Sequence, residues 1–203
     1  MSERPDRSEP EISAPASLSV QYFDDMYEAH QDPWNFETSP YEAGKYDRTL
    51  AALPNQTYVS ALEVGCSIGV LTARLAPRCT HLLSLDLSEL ALDRARARCA
   101  ELPQVQFERR QMPTEFPPGQ FDLLVLSEVL YYHSPADLQL MLGRSVGALL
   151  PGGHLVAVHW TPVVHDYPQT GDQVHEVLLS VPGLKHRHGE RHEQYRLDLF
   201  ERI

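Results

Sequence analysis

Ala61-Leu62-Glu63-Val64-Gly65-Cys66-Ser67-Ile68-Gly69 decides the fold. It reads as an apolar strand entering a glycine-marked turn, with a helix to follow. Asp86 closes the next strand about twenty residues later, the distance at which an acid meets a ribose in nucleotide-binding sheets. The layout predicts a nucleotide-type pocket at the carboxyl end of a parallel sheet. The identity of the cofactor then selects the chemistry.

Working outward, strands and helices alternate. Strands are predicted at Tyr58–Val64, His81–Leu85, Val105–Arg109, Phe121–Leu126 and His154–Trp160, with Leu184–His192 and Gln194–Ile203 as a closing hairpin. Helices are predicted at Gly69–Ala76, at Ser88–Glu101 with Ser88 as N-cap, at Pro135–Leu149 and at Gly171–Val181. The run Leu150-Pro151-Gly152-Gly153 reads as a turn. Phe121–Leu126 is apolar throughout, as a strand buried on both faces requires. The alternation predicts an α/β doubly wound sheet of seven strands, mainly parallel, with an antiparallel terminal strand. Before it, Leu18, Tyr22 and Met26 recur at helical spacing. Asp32–Phe36 breaks that pattern, and a second helix begins at Ser39-Pro40 and ends before Pro54. Residues 1–16, rich in Pro, Ser and charge, are expected to be a disordered tail. The domain division is a helical segment at 17–54 and a core at 55–203.

The chain has 203 residues, 42% hydrophobic and 22% charged, which suits one globular domain. Its net charge of −11 argues against nucleic acid as a partner. No apolar run approaches the ~18 residues of a membrane span. The N-terminal stretch lacks an apolar signal region. Cys66, Cys79 and Cys99 are odd in number and lack CxxC spacing, so free thiols in the cytoplasm are expected. His186, His188 and His192 invite a metal reading, but Lys185, Arg187 and Arg191 would repel a cation, and no metal is expected. Oligomeric state is not readable.

A dinucleotide fingerprint counted from Gly65 would need glycine at 67 and 70, where Ser67 and Val70 stand. No Walker A lysine follows either. The pattern is instead E-x-G-C-x-x-G. It resembles motif I of class I S-adenosylmethionine (SAM)-dependent methyltransferases. Asp86 resembles that family's ribose-binding acid, Phe121-Asp122 opens a similar fourth strand, and Leu150-Pro151-Gly152-Gly153 a similar turn into the fifth. A narrower resemblance is to the nodulation protein S type of N-methyltransferase, which methylates the amino sugar at the non-reducing end of a chitooligosaccharide. It rests on Asp32-Pro33-Trp34-Asn35-Phe36, Ser39-Pro40-Tyr41-Glu42, Lys45-Tyr46-Asp47, Ser127-Glu128-Val129-Leu130-Tyr131-Tyr132 and Ala157-Val158-His159-Trp160.

The resemblance implies a Rossmann-like fold with SAM as cofactor and the helical segment at 17–54 as a lid. The glycine turn at Gly65, Cys66 and Gly69 would present donors to a carboxylate, aided by the helix that follows. Asp86 would accept both ribose hydroxyls, with Leu87 beside it, and Glu63 would face the methionine ammonium. Met112 would touch adenine, and Ser127, Trp34 and Lys45 would complete the cofactor site. Near the methyl group, Glu128 or His159 would hold the nucleophile or accept its proton, and Tyr132, with Tyr131, would bind substrate. The expected activity is methyl transfer to a small-molecule or oligosaccharide acceptor, N-methylation of an amino sugar first. The alternatives are a small-molecule O-methyltransferase, which would need Glu128 or His159 as an obligate base, and a non-catalytic SAM-binding module.

Overall fold

The computed structural model describes residues 15–203. The disordered tail expected at 1–16 falls outside these, except for Pro15 and Ala16, which are exposed and irregular.

Two helices lead: α1 (Val20–Ala29) and α2 (Pro40–Ala52). Ser19 and Ser39 cap them by accepting from Tyr22 N and Glu42 N, and Pro40 takes the first position of α2 as its fixed φ favours. The alternating core follows as β1 (Tyr58–Val64), α3 (Val70–Leu75), β2 (Cys79–Asp86), α4 (Glu89–Arg98), β3 (Val105–Arg109), β4 (Phe121–Ser127), α5 (Pro135–Ala148), β5 (Leu149–Trp160), α6 (Gly171–Leu179), β6 (Leu184–Arg191) and β7 (Tyr195–Arg202).

One seven-stranded sheet has the order β3-β2-β1-β4-β5-β7-β6. Strands β1 to β5 pair in parallel, and β7 inserts antiparallel between β5 and β6. Both faces of the central strands are buried. Leu124, Leu126, Leu62 and Val64 pack with Leu138, Leu142 and Phe200 on one face. Leu123, Val125, Ala61, Leu71, Leu75 and Val156 pack on the other. The apolar run in β4 is thus a consequence of burial on two sides. Strand order reverses between β1 and β4, the switch point where a crevice opens at the carboxyl ends.

Two local expectations need correction. Leu149 to Gly153 is the start of β5 rather than a turn: buried Leu149 pairs with Phe121, and an irregularity between Phe121 and Leu123 absorbs the glycines. Ser88 stands at the N-cap of α4 without capping it, because its hydroxyl donates to Asp24 Oδ1 at 2.6 Å instead. On β6, His186 and His188 take separate partners. A bulge separates them, so that His186 meets Asp198 while His188 and His192 flank Glu190.

Candidate functional site

The turn after β1 is built on positive φ at Gly65 (75°), Ser67 (50°) and Gly69 (79°). Gly65 and Cys66 both donate to Leu85 O, at 2.7 and 2.9 Å, tying the turn to the end of β2. A Cβ on Gly65 would lie 2.2 Å from Val129 Cγ1, and one on Gly69 3.0 Å from Ala95. The glycines therefore admit the protein's own packing, Val129 against the turn and α4 against α3. The amides of Gly65, Cys66, Ser67 and Gly69 are spent on Leu85 O, Asp86 Oδ2 and Cys66 O, so they are not the free donors to a carboxylate that the motif implied.

Asp86 ends β2 with 9% of its surface exposed. Its Oδ2 accepts from Ser67 N at 2.8 Å and its Oδ1 from Ser88 N at 2.9 Å. Each oxygen keeps a lone pair free, which fits a vicinal diol. Burial raises its carboxyl above the ordinary value, and the backbone donors oppose that rise. Glu63 is buried, and its Oε2 accepts from Thr72 Oγ1 (2.6 Å) and Ser84 Oγ (2.7 Å). Oε1 has no hydrogen-bond partner among the described residues. Burial pushes the Glu63 carboxyl up to about 7. A buried acid with one free oxygen suits an ammonium group.

Both residues line one cavity of about 550 Å³, which runs from the β1 and β2 ends to the β4 and β5 ends. That volume lies within the range of small-molecule sites. Gly65, Cys66, Leu87, Met112, Ser127, Trp34, Lys45, Glu128 and Tyr132 also line it. Gly69 and His159 do not.

The helical segment closes over the cavity through specific contacts. Tyr27 Oη donates to Ser67 Oγ at 2.6 Å, and the Tyr27 ring packs edge-on against Trp34. Arg94 of α4 donates to Tyr27 O and Gln31 O, satisfying the carboxyl end of α1. Lys45, 2% exposed, lies between two acids. Its Nζ is 2.6 Å from Glu128 Oε1 and 2.8 Å from Glu42 Oε2, and it donates to Glu42 Oε1 at 3.0 Å. Burial works to lower the Lys45 pKa, but the two carboxylates outweigh it and raise the pKa.

Glu128 adopts φ +57°. Its Oε2 also accepts from Trp160 N at 2.8 Å and from Tyr131 Oη. With Lys45 on Oε1, three donors hold the carboxylate, leaving one acceptor position on Oε1. Tyr41 packs edge-on against Trp160, and its hydroxyl is buried without a partner among the described residues. Tyr131 stacks on Tyr167, which joins the lining.

His159 is fully buried, and both ring nitrogens are engaged, with Leu130 N and with His175. The imidazole on the cavity wall is His133, which burial holds below its ordinary pKa and therefore neutral near pH 7. The motifs also gave no sign of Tyr27, Tyr167 or Gln194, which line the cavity from outside them. Ser67 was visible, but only as a missing glycine. Among the described residues no group of three His, Cys, Asp or Glu could hold a metal ion, and no helix is long and apolar enough to cross a membrane.

A profile of the family described as "Nodulation protein S (NodS)" matches residues 23–157. Nodulation protein S of Rhizobium tropici is 37% identical over 133 residues, covering 63% of this chain and 55% of that protein. The Sinorhizobium fredii protein of the same name is 34% identical, covering 63% and 60%. The chain thus spans under two thirds of these relatives' length. Among solved structures, a provisional methyltransferase from Pseudomonas syringae is 36% identical, with a TM-score of 0.72 over 80% of this chain and 99% of that one. The N-methyltransferase NodS of Bradyrhizobium japonicum WM9, solved with S-adenosyl-L-homocysteine, shares the fold at 24% identity, with a TM-score of 0.82 over 91% of this chain and 99% of that one. With the profile spanning most of the chain and the same turn, acid and strand ends gathered around one cavity, the chain belongs to the nodulation protein S family.

Proposed function

We propose that the chain is a SAM-dependent methyltransferase that N-methylates an amine, with a free amino sugar at the end of a small or oligosaccharide acceptor as the preferred substrate. The observation that carries this reading is the shared cavity. Asp86, with two free lone pairs, and Glu63, with one free oxygen, stand at one end of it, and Glu128 and Tyr41 at the other. The first pair matches a ribose diol and a methionine ammonium, so the residues fit SAM, which supplies a methyl group activated on a sulfonium.

The remaining chemistry belongs to this chain. Glu128 keeps one acceptor position, suited to an amine N–H and able to orient the nitrogen lone pair. Tyr41 Oη needs a partner and suits a hydroxyl or carbonyl of the acceptor. Tyr132 and Tyr131 wall that end, and neutral His133 is available for the proton that a methylated amine sheds. Residues 17–54 act as a lid that excludes water and completes the cleft over the 55–203 core. Nitrogen is favoured over oxygen because Glu128 already carries three donors and His159 lies off the cavity, so neither is a free strong base. Three buried, unpaired cysteines fit a cytoplasmic setting, and the acidic charge speaks against nucleic acid as a partner.

Calorimetry with S-adenosylhomocysteine and NADH, followed by methyl transfer to matched amines and alcohols, tests the reading. It predicts binding of the first ligand alone and methylation of amines. Binding of NADH alone, or methylation of alcohols with amines untouched, would overturn it.

A further inference from the structure

We propose that Asp198 and His175, two buried residues outside the cavity, are positioning residues that act through His159 to fix the Glu128–Tyr132 turn at the acceptor end. Leu130 N donates to His159 Nε2 at 3.1 Å. His159 Nδ1 lies 3.0 Å from His175 Nε2, and His175 Nδ1 lies 2.6 Å from Asp198 Oδ2. Both rings are fully buried.

The protons follow from the two ends. A backbone N–H only donates, so His159 Nε2 must be a bare lone pair. The neutral ring then carries its hydrogen on Nδ1 and donates to His175 Nε2. His175 in turn carries its hydrogen on Nδ1 and donates to Asp198. Asp198 is itself anchored, by Arg196 Nε at 2.8 Å and His186 Nε2 at 2.7 Å. Burial works to raise its carboxyl, and these donors hold it below the usual range.

The turn needs this support. Pairing of β4 with β5 ends at Ser127 and Val158, and Glu128 N makes one last bond to Val158 O at 2.8 Å. Beyond it the next paired amide of the turn, Leu130 N, is received by the His159 side chain rather than by the β5 backbone. Glu128 sits there in a left-handed conformation costly for a non-glycine residue, and Val129 fills the space over Gly65. A shift at Leu130 therefore moves both the Glu128 carboxylate and the packing on the cofactor turn. Protonating His159 would set a donor against the Leu130 donor. Burial, helped by the Lys45 charge, holds its imidazole well below the ordinary range, and the Tyr131 ring closes its remaining side.

The turn's part in catalysis rests on the methyl-transfer reading, whereas the relay does not. Long-range proton–nitrogen spectra of the histidine rings test the relay in the whole chain without any substrate. The expected result is a His159 ring with Nδ1–H and bare Nε2, unchanged between about pH 5.5 and 8. His175→Phe should shift the Leu130 amide resonance and weaken S-adenosylhomocysteine binding at least about fivefold. His175→Gln, whose amide can still accept from His159 and donate to Asp198, should stay within about threefold of wild type. A His159 ring that carries its proton on Nε2 or titrates near its ordinary pKa would overturn the relay. So would a His175→Phe chain with wild-type binding and an unmoved Leu130 amide. If His175→Phe does not fold, the wild-type ring spectrum and His175→Gln decide between these results. If the wild-type chain does not bind S-adenosylhomocysteine, the methyl-transfer reading fails, and the ring spectrum with the Leu130 amide still judges the relay.

Discussion

Glu63 carries a charge that its surroundings do not support. Its hydroxyl donors lower the cost, but burial dominates and lifts the carboxyl to about 7 from 4.5. Between those values the native chain holds a proton that the unfolded chain has released, so stability falls as pH rises through that window. The full penalty, present above the native pKa, is about 3 kcal/mol. In Glu63→Gln the amide oxygen can still accept from Thr72 and Ser84 and carries no charge. The ligand-free variant should gain about 2–3 kcal/mol over wild type at pH 8 and almost nothing at pH 4, read by urea unfolding at both. A gain independent of pH would place the raised pKa elsewhere. The same substitution should weaken S-adenosylhomocysteine binding, because an amide cannot balance an ammonium charge.

Helices α1 and α2 meet the sheet through a few polar bonds as well as apolar packing. Tyr27→Phe removes one of these and should cost about 1 kcal/mol in thermal or urea unfolding, with the loss concentrated in the α1 amides under hydrogen exchange. Lys45→Met strips the shared cation from Glu42 and Glu128 and should cost about 3–5 kcal/mol, with Glu128→Gln in the same chain recovering part of it. A cost below about 1 kcal/mol for Lys45→Met would mean the triad is solvated. These elements were legible in the sequence because their signals are local: apolar spacing, Ser39-Pro40, glycines at a strand end. The positions of the residues proposed for the cofactor were legible for the same reason, since a turn and a strand end fix where they stand. His159 was harder. A strand-end position tells which end of the sheet a residue reaches but not which face, and neighbours on a strand point to opposite faces. Trp160 takes the cavity side, so His159 turns inward toward α6. Lys45 could have been read as a solvated charge, because its partner Glu128 lies 83 residues away. Nothing local in β7 marks Asp198 as the far end of a relay.

At the scale of the whole molecule, one strand-order reversal creates a crevice, and residues of the 17–54 segment and the β4 and β5 ends close it into a cavity that, on the proposed reading, cofactor and acceptor share. The shared cavity makes the acceptor's free nitrogen the central claim. The most direct measurement incubates the chain with methyl-labelled SAM and a chitooligosaccharide bearing a free terminal amine, beside the same oligosaccharide fully N-acetylated, and weighs the products. The expected result is one added methyl group on the free-amine oligosaccharide and none on the acetylated one. Methyl addition to both, or to the acetylated one alone, would contradict it.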